Sequence, residues 1–400
     1  MSLYLGWLFS NVLVPLLVLG VLIFVHELGH FLVAKWCGVG VLKFSIGFGP
    51  RLFGWRRRET EYQVSLIPLG GFVRMVGDMP DSLSGAQVTD AAVRKGEGVQ
   101  LAGVEADIQA VVADKSRWFI EKPLVQRSAI VIAGPLFNYV FAIVLVFLSV
   151  FIYGEEIVEE GPVVGGVMAG SPAEIAGLKS ADKVLSYNGE ELTGWERLAE
   201  RIHTGDGNPV KLSVESAGVR KELTVYPQKK EVRGFDGKMH SVYLIGIERM
   251  ITRSEASLGK AAQIGWIWAW HASLKTYEGL WGMLSGEISP KDLAGPLFIL
   301  DTAGKQAAKG FESILSFMAI LSISLAVLNM LPIPVLDGGH LFFFLIEALI
   351  GPISIRKKEF AQQIGVLLLL SLMVFAVHND IFRDKTGGPG EVNWQPASPK

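Results

Sequence analysis

Long apolar runs alternate with polar stretches along this chain. Leu5 to Ala34, Ser128 to Tyr153, Ser313 to Leu336 and residues 360–378 are each apolar for about the length of a membrane crossing. A hydrocarbon core of about 30 Å takes about 20 helical residues, so four transmembrane helices are expected. After the first span, Tyr62 to Leu66 alternates in polarity, Pro68-Leu69-Gly70-Gly71 turns, and Phe72 to Val76 alternates again. That pattern predicts a β-hairpin within 41–77, apolar enough to dip into the membrane, where irregular backbone needs protein or a water-filled cavity around it. Residues 78–127 read as a polar cytoplasmic loop with one short helix near Ala106 to Phe119. Residues 161–250 read as a soluble domain, with strands at Val163 to Val167, Lys183 to Tyr187, Lys211 to Glu215 and Glu222 to Tyr226, a helix at Trp195 to Ile202, and a tight turn at Asn188-Gly189. Short strands with one short helix suggest a small β-barrel. Residues 258–310 carry Trp266, Trp268, Trp270 and Trp281 among apolar neighbours, the pattern of amphipathic helices lying at the membrane surface. The tail, 383–400, is polar, rich in Pro and Gly, and expected to be disordered.

Charge orients these elements. Lys35, Lys43, Arg51, Arg56, Arg57 and Arg58 follow the first span, which places that end in the cytoplasm and the N-terminus outside. Glu155, Glu156, Glu159 and Glu160 follow the second span, so 161–250 lies outside. Met1 to Gly20 has no basic stretch and no small-residue cleavage site and reads as a retained span. Half the residues are hydrophobic (50%) and the net charge is −2, which fits a lipid-embedded chain and argues against a nucleic-acid partner. Cys37 is the only cysteine; an intrachain disulfide and a cysteine-based zinc site are both excluded.

The chemistry sits in the first span. Val25-His26-Glu27-Leu28-Gly29-His30 is an H-E-x-x-H motif. On a helix His26 and His30 share a face and reach one cation, while Glu27 projects about 100° away, within reach of a water on that cation. Two neutral imidazoles hold Zn²⁺ and leave its charge to act on the water; the carboxylate takes the water's proton and returns it to the leaving amine. The ordinary alternative is a helix with two satisfied histidines, but ionisable groups at membrane depth are costly and mark function. A catalytic zinc usually takes a third protein ligand. On the cytoplasmic side of the spans that leaves Asp337, His340 and Glu347. Asp337 is favoured, because Pro332, Pro334, Gly338 and Gly339 break the third span around it and broken helices at membrane depth line sites. Its other reading is the N-cap of the helix that follows.

His26-Glu27-Leu28-Gly29-His30, together with Asn329-x-x-Pro332-x-Pro334-x-Leu336-Asp337-Gly338-Gly339, resembles the site-2 protease family of intramembrane zinc metalloproteases, closest to its bacterial regulator-of-sigma-E group. The likeness extends to Gly70-Gly71-Phe72-Val73-Arg74-Met75, similar to that group's membrane-embedded hairpin, and to Gly134-Pro135-x-x-Asn138. It implies that His26, His30 and Asp337 bind zinc, that Glu27 is catalytic, and that Asn329 and Asn138 help hold substrate. The hairpin edge at Gly71, Phe72 and Val73 is expected to pair with an extended substrate. The segment from Gly170 to Gly189 resembles a bacterial PDZ domain, with Ile245-Gly246-Ile247 similar to its carboxylate-binding loop but placed last, as in a circular permutation. Only one such domain is found. The expected fold is therefore a multi-span α-helical membrane protein, with four transmembrane helices and a membrane-associated β-hairpin, plus one extracytoplasmic PDZ-like β-barrel. The expected activity is zinc-dependent cleavage of single-span membrane proteins, such as an anti-sigma factor or a remnant signal peptide, in a bacterial inner membrane. A non-catalytic PDZ adaptor predicts a degraded H-E-x-x-H motif, and a metal transporter predicts polar groups along several spans; neither pattern is present. Nothing in the sequence sets the oligomeric state.

Overall fold

A computed structural model describes residues 13–77, 102–159, 161–233, 239–290 and 293–382. The start of the first expected span, the 78–101 stretch and the 383–400 tail lie outside the described residues. The chain divides into two compact units. One draws on Met1–Ser149, Gly259–Glu278 and Ala294–Ile381; the other on Val150–Leu258, Gly279–Leu293 and residues from Phe382 onward.

The first unit is built on α1 (Val14–Trp36), with Pro15 in its first turn, where the missing N–H costs nothing. Its buried positions, Pro15, Val18, Leu22, Gly29, His30 and Ala34, lie along one stripe at spacings of about one or two helical turns, with Gly29 and His30 adjacent. The stripe runs through the H-E-x-x-H motif, so the face that packs is the face that carries the imidazoles. Strands β1 (Val41–Arg57) and β2 (Thr60–Met75) follow as one long, curled hairpin. Its register is doubled. Ile46 stands opposite both Gly71 and Val64, while Arg57 closes on Thr60. The first part of β1 is thus flanked by both halves of β2, and Gly71–Met75 has ladder partners on one side only among the described residues. Phe44 joins the hairpin to α1 by edge contacts with Phe24 and Phe31, at 6.0 and 5.2 Å between ring centres.

A buried ion cluster pins the hairpin's turn to the end of α1. Lys35 Nζ donates to Glu59 Oε1 at 2.6 Å and to Thr60 Oγ1 at 2.8 Å, and Arg117 Nη2 donates to the same Glu59 oxygen at 2.9 Å. Burial alone would raise the Glu59 carboxyl, but the hydrogen bonds from Lys35 and Arg117 outweigh it and hold its pKa at about 2. Arg117 belongs to a short turn after α2 (Ala102–Ala113), which lies a few residues earlier than the pattern around Ala106 to Phe119 suggests.

Helix α3 (Leu124–Tyr153) contains Pro135. Helices α4 (Pro172–Ile175) and α5 (Trp195–His203) lie in the second unit, α6 (Leu258–Ser285) contributes to both, and α7 (Pro296–Lys309) returns to the first. Segment 258–310 is thus two helices with a turn between. Helix α8 (Phe311–Asn329) ends seven residues short of the expected Leu336, because Pro332 and Pro334 have no N–H to extend a helix. The chain restarts as α9 (Asp337–Ile350) and ends in α10 (Ile355–Phe382). Arg127 on α3 pairs with Glu347 on α9 at 3.2 Å, and Lys358 on α10 reaches the other Glu347 oxygen at 3.4 Å. Asp380 accepts from the backbone N–H groups of Gly295 and Phe298, capping α7. Among the described residues four helices, α1, α3, α8 and α10, are long and apolar enough to cross a membrane.

In the second unit β5 (Lys183–Tyr187), β6 (Glu190–Glu191), β7 (Val210–Ser216) and β8 (Val219–Val225) form a sheet in the order β6-β5-β7-β8. Three two-stranded ladders accompany it. They are β4 (Val164–Val167) with β11 (Ile247–Arg249), β9 (Gln228–Arg233) with β10 (Met239–Leu244), and β3 (Glu155–Val158) with β12 (Ile251–Ser254). The ladders do not close into a barrel among the described residues. The four-stranded sheet and the β4–β11 ladder share one apolar core in which Leu198 and Ile202 of α5 meet Val164, Val184, Leu212 and Ile245.

Candidate metal centre and active-site cavity

Helix periodicity places the first two groups. His26 and His30 rise one turn apart on α1, and His26 Nε2 lies 3.2 Å from His30 Nε2. The third comes from the break after α8. Asp337 opens α9, with its Oδ2 3.2 Å from His26 Nε2 and its Oδ1 3.5 Å from His30 Nε2. The backbone reaches that position through Val335, a β-branched residue held at φ +92°, where L-residues are strained. Among the described residues these three are the only group of His, Cys, Asp or Glu whose ligand atoms converge, all within 4.8 Å of one another.

The arrangement fits a zinc ion on two counts. Ligands about 2.0–2.1 Å from a tetrahedral zinc stand roughly 3.3 Å apart, matching the observed 3.2, 3.2 and 3.5 Å. In addition, Asp337 Oδ2 is buried with no aligned hydrogen-bond donor, an arrangement that costs free energy unless a cation completes it. His30 is held in the right tautomer. Its Nδ1 donates to the Ile130 carbonyl of α3 at 2.8 Å, which leaves the Nε2 lone pair facing the cluster. Room for both rings comes from Gly134, where a Cβ atom would stand 2.2 Å from His30 Nε2 and 2.8 Å from His26 Cε1.

The three groups open onto a cavity of about 390 Å³. Glu27 lines it, beside the hairpin strand at Gly71, Phe72 and Val73. Contact there is close enough that a Cβ at Gly71 would come within 2.8 Å of Glu27 Cγ. Asn329 and His340 also line the cavity, but His340 is not part of the ligand cluster. Asn138 is placed differently from the sequence expectation. It is fully buried and does not line the cavity; its side chain faces His26 Nδ1 at 3.4 Å and its carbonyl accepts from Ser322 Oγ at 2.7 Å. In this structure Asn138 therefore offers the cavity no surface, and its side chain lies behind a histidine instead. In the second unit, Ile245, Gly246 and Ile247 line a groove of about 140 Å³, opposite Trp195, Leu198 and Ile202 of α5.

Sequence reasoning missed the Ile130 carbonyl, which leaves no side-chain signal. The crowding at Gly134 was available only as a glycine before a proline, which reads first as a loosened helix.

The sequence profile of Peptidase family M50 matches residues 14–372. The zinc metalloprotease RasP of Geobacillus kaustophilus is 32% identical over 415 residues, covering 92% of this chain and 96% of that protein. A candidate zinc metalloprotease of Agrobacterium fabrum is 34% identical over 384 residues, covering 94% and 97%. Another, of Mesorhizobium japonicum, is 36% identical over 388 residues, covering 94% and 100%. The chain belongs to Peptidase family M50, the site-2 protease family, and is a zinc-dependent membrane metalloendopeptidase.

Proposed function

We propose that this protease cuts single-span membrane proteins within their transmembrane segments, near the cytoplasmic face of a bacterial inner membrane, on anti-sigma-factor or remnant-signal-peptide substrates, as a step of regulated intramembrane proteolysis. One observation carries the reading: the converging His26, His30 and Asp337 share a cavity with Glu27 and with a strand whose outer edge is unpaired among the described residues. A peptide bond inside a helix is shielded by its own hydrogen bonds, so a substrate must unwind first. The Gly71–Met75 edge offers the backbone partners that an unwound segment loses. Gly71 packs on Glu27, so a strand added at that edge passes beside the catalytic carboxylate. Asn329, on the cavity wall, gives a further amide to freed backbone groups.

His26, His30 and Asp337 are the residues that would hold zinc. When bound, zinc polarises the scissile carbonyl and makes water easier to deprotonate. Glu27 takes that proton and passes it to the departing amine. Residues 161–250 are read as a PDZ domain on the periplasmic side, and the groove against Ile245-Gly246-Ile247 supports a peptide C-terminus as its ligand. Excluding substrates with bulky outside domains is the second role assigned to it.

The test incubates purified protein with a single-span substrate, with and without chelator, and locates the cut by mass spectrometry. Cleavage within the apolar segment, abolished by chelator, is expected. Glu27→Gln should retain zinc and lose about 10²–10⁴-fold in rate. Cuts confined to the soluble parts of the substrate, or a Glu27→Gln rate within a fewfold of wild type, refute the reading.

A further inference from the structure

The two imidazoles of the cluster differ in what holds them from behind. His30 Nδ1 donates to a backbone carbonyl, that of Ile130. His26 Nδ1 faces a side chain, that of Asn138. Ile130, Gly134 and Asn138 are four apart on α3 and therefore share a face. They run opposite to His30 and His26 on α1: Ile130 behind His30, Asn138 behind His26, and Gly134 making room for both rings.

We propose that Asn138 is a positioning residue for His26, its side-chain carbonyl accepting the Nδ1–H and so fixing the tautomer that presents Nε2 to the metal. The proposal rests on His26, His30 and Asp337 being the zinc ligands. His26 Nε2 stands 3.2 Å from both His30 Nε2 and Asp337 Oδ2, so the lone pair that binds metal is on Nε2. A neutral ring then carries its single proton on Nδ1. The atom facing Nδ1 must be an acceptor. The Asn138 amide meets His26 Nδ1 with its nitrogen at 3.4 Å, while its Oδ1 is buried without a hydrogen-bond partner. Two N–H groups would face each other across that gap. A half-turn of the amide exchanges its oxygen and nitrogen within the same volume, and gives Nδ1–H the acceptor it needs. Substrate has no access to this amide, which is fully buried. The backbone carbonyl of Asn138 accepts from Ser322 Oγ on α8, so the residue behind His26 is held by the third span as well as the second.

The experiment measures zinc affinity by chelator competition on the purified full-length protein, and kcat and KM separately at saturating zinc. Asn138→Leu keeps the volume but has no acceptor. Asn138→Asp keeps an acceptor and discards the donor. Removing an outer hydrogen bond to a ligating histidine typically weakens metal binding about 10–100-fold. Asn138→Leu is therefore expected to lose zinc affinity by that factor with KM unchanged. Asn138→Asp is expected to bind zinc at least as tightly as wild type, as carboxylate–histidine–zinc arrangements do. Wild-type zinc affinity in Asn138→Leu overturns the proposal, and so does equal loss in both variants, which would mean that a donor or packing alone is needed. If Asn138→Leu does not fold, Asn138→Asp decides: retained affinity supports the proposal and lost affinity overturns it. Asp337→Ala in the same assay keeps the two readings apart. If it too holds zinc normally, the ligand assignment has failed rather than the role of Asn138.

Discussion

Two regions bring the candidate metal ligands together, and they do so by opposite means. On α1, His26 and His30 need only helical periodicity, and their orientation is completed by a well-packed neighbour in which Ile130, Gly134 and Asn138 repeat at the same spacing. Around Asp337 there is no regular element to supply position. The helix stops at Asn329, two prolines carry the chain onward, Val335 takes a positive φ, and Asp337 starts the next helix. A regular helix specifies two ligands from local spacing, while the third depends on a strained turn that only tertiary packing sustains. Functional sites commonly concentrate strain in this way.

The difference is sharpest at the metal itself. Asp337→Ala removes the one anionic ligand and leaves two imidazoles that bind a cation far more weakly. Activity is expected to fall to background and zinc content to fall with it, measured by elemental analysis after gel filtration in detergent. Stoichiometric zinc in Asp337→Ala, with loss in His340→Ala, would mean that the broken segment supplies a different ligand.

Gly134→Ala challenges the regular side of the comparison. The new methyl would stand 2.2 Å from His30 Nε2, the candidate ligand atom, and nothing in a packed helix pair lets α3 withdraw cheaply. A drop of at least about tenfold in zinc affinity is expected, with about 1–3 kcal/mol of lost stability from overpacking. Unchanged zinc binding would show that α1 and α3 separate more easily than their contacts imply.

Much of this was readable in advance because chemistry and periodicity coincide on α1. An H-E-x-x-H motif within an apolar span has few other uses, and Asp337 followed from the prolines and glycines that surround it. The hairpin was legible from alternation around Pro68-Leu69-Gly70-Gly71, but its doubled register was not, since pairing with two partners leaves no mark in local pattern. Asn138 was noticed as a substrate contact, whereas in the structure its side chain lies behind His26. A motif marks an amide without saying whether it faces a histidine or the cavity, which only the packing of α3 on α1 shows. The third span was drawn too long because apolar residues continue through Leu331 to Leu336 after the helical hydrogen bonds have ended.

The C-terminal end of α1 offers a test by pH. Glu59 holds Lys35 and Arg117 with a folded pKa of about 2 against an ordinary 4.5. Because the folded value is depressed, the stabilisation is fully present above about pH 4.5 and is lost as pH falls toward 2. With Glu59 only 9% exposed, its contribution is on the order of 2–3 kcal/mol. Thermal unfolding of wild type and Glu59→Gln should therefore differ at pH 7 and converge between pH 4.5 and 2. A gap that persists at pH 2 would assign the effect to packing instead of charge.

The smallest effect expected is the most direct probe of the strained turn. Val335 is a β-branched residue at φ +92°, a region costing of order 1–3 kcal/mol, whereas glycine enters it freely. Val335→Gly relieves that cost but gives the unfolded chain more freedom, worth about 1 kcal/mol in the other direction. It also gives up the partial burial of a side chain on the cavity wall that is 39% exposed. The net change expected is a gain of about 1 kcal/mol or less, read as a rise of a few degrees in the unfolding midpoint. Zinc affinity should stay within about threefold, because Asp337 remains at the start of α9, where the Leu336 carbonyl accepts from Gly339 and His340 at 3.0 and 3.3 Å. If stability rises while zinc affinity falls by tenfold or more, the strain itself aims Asp337 at the imidazoles. The contrast between a ligand pair set by periodicity and a third set by stored strain would then extend from geometry to energy. If stability falls, Val335 is not where the turn's strain resides, and Pro332 and Pro334 carry the shape of the break without it.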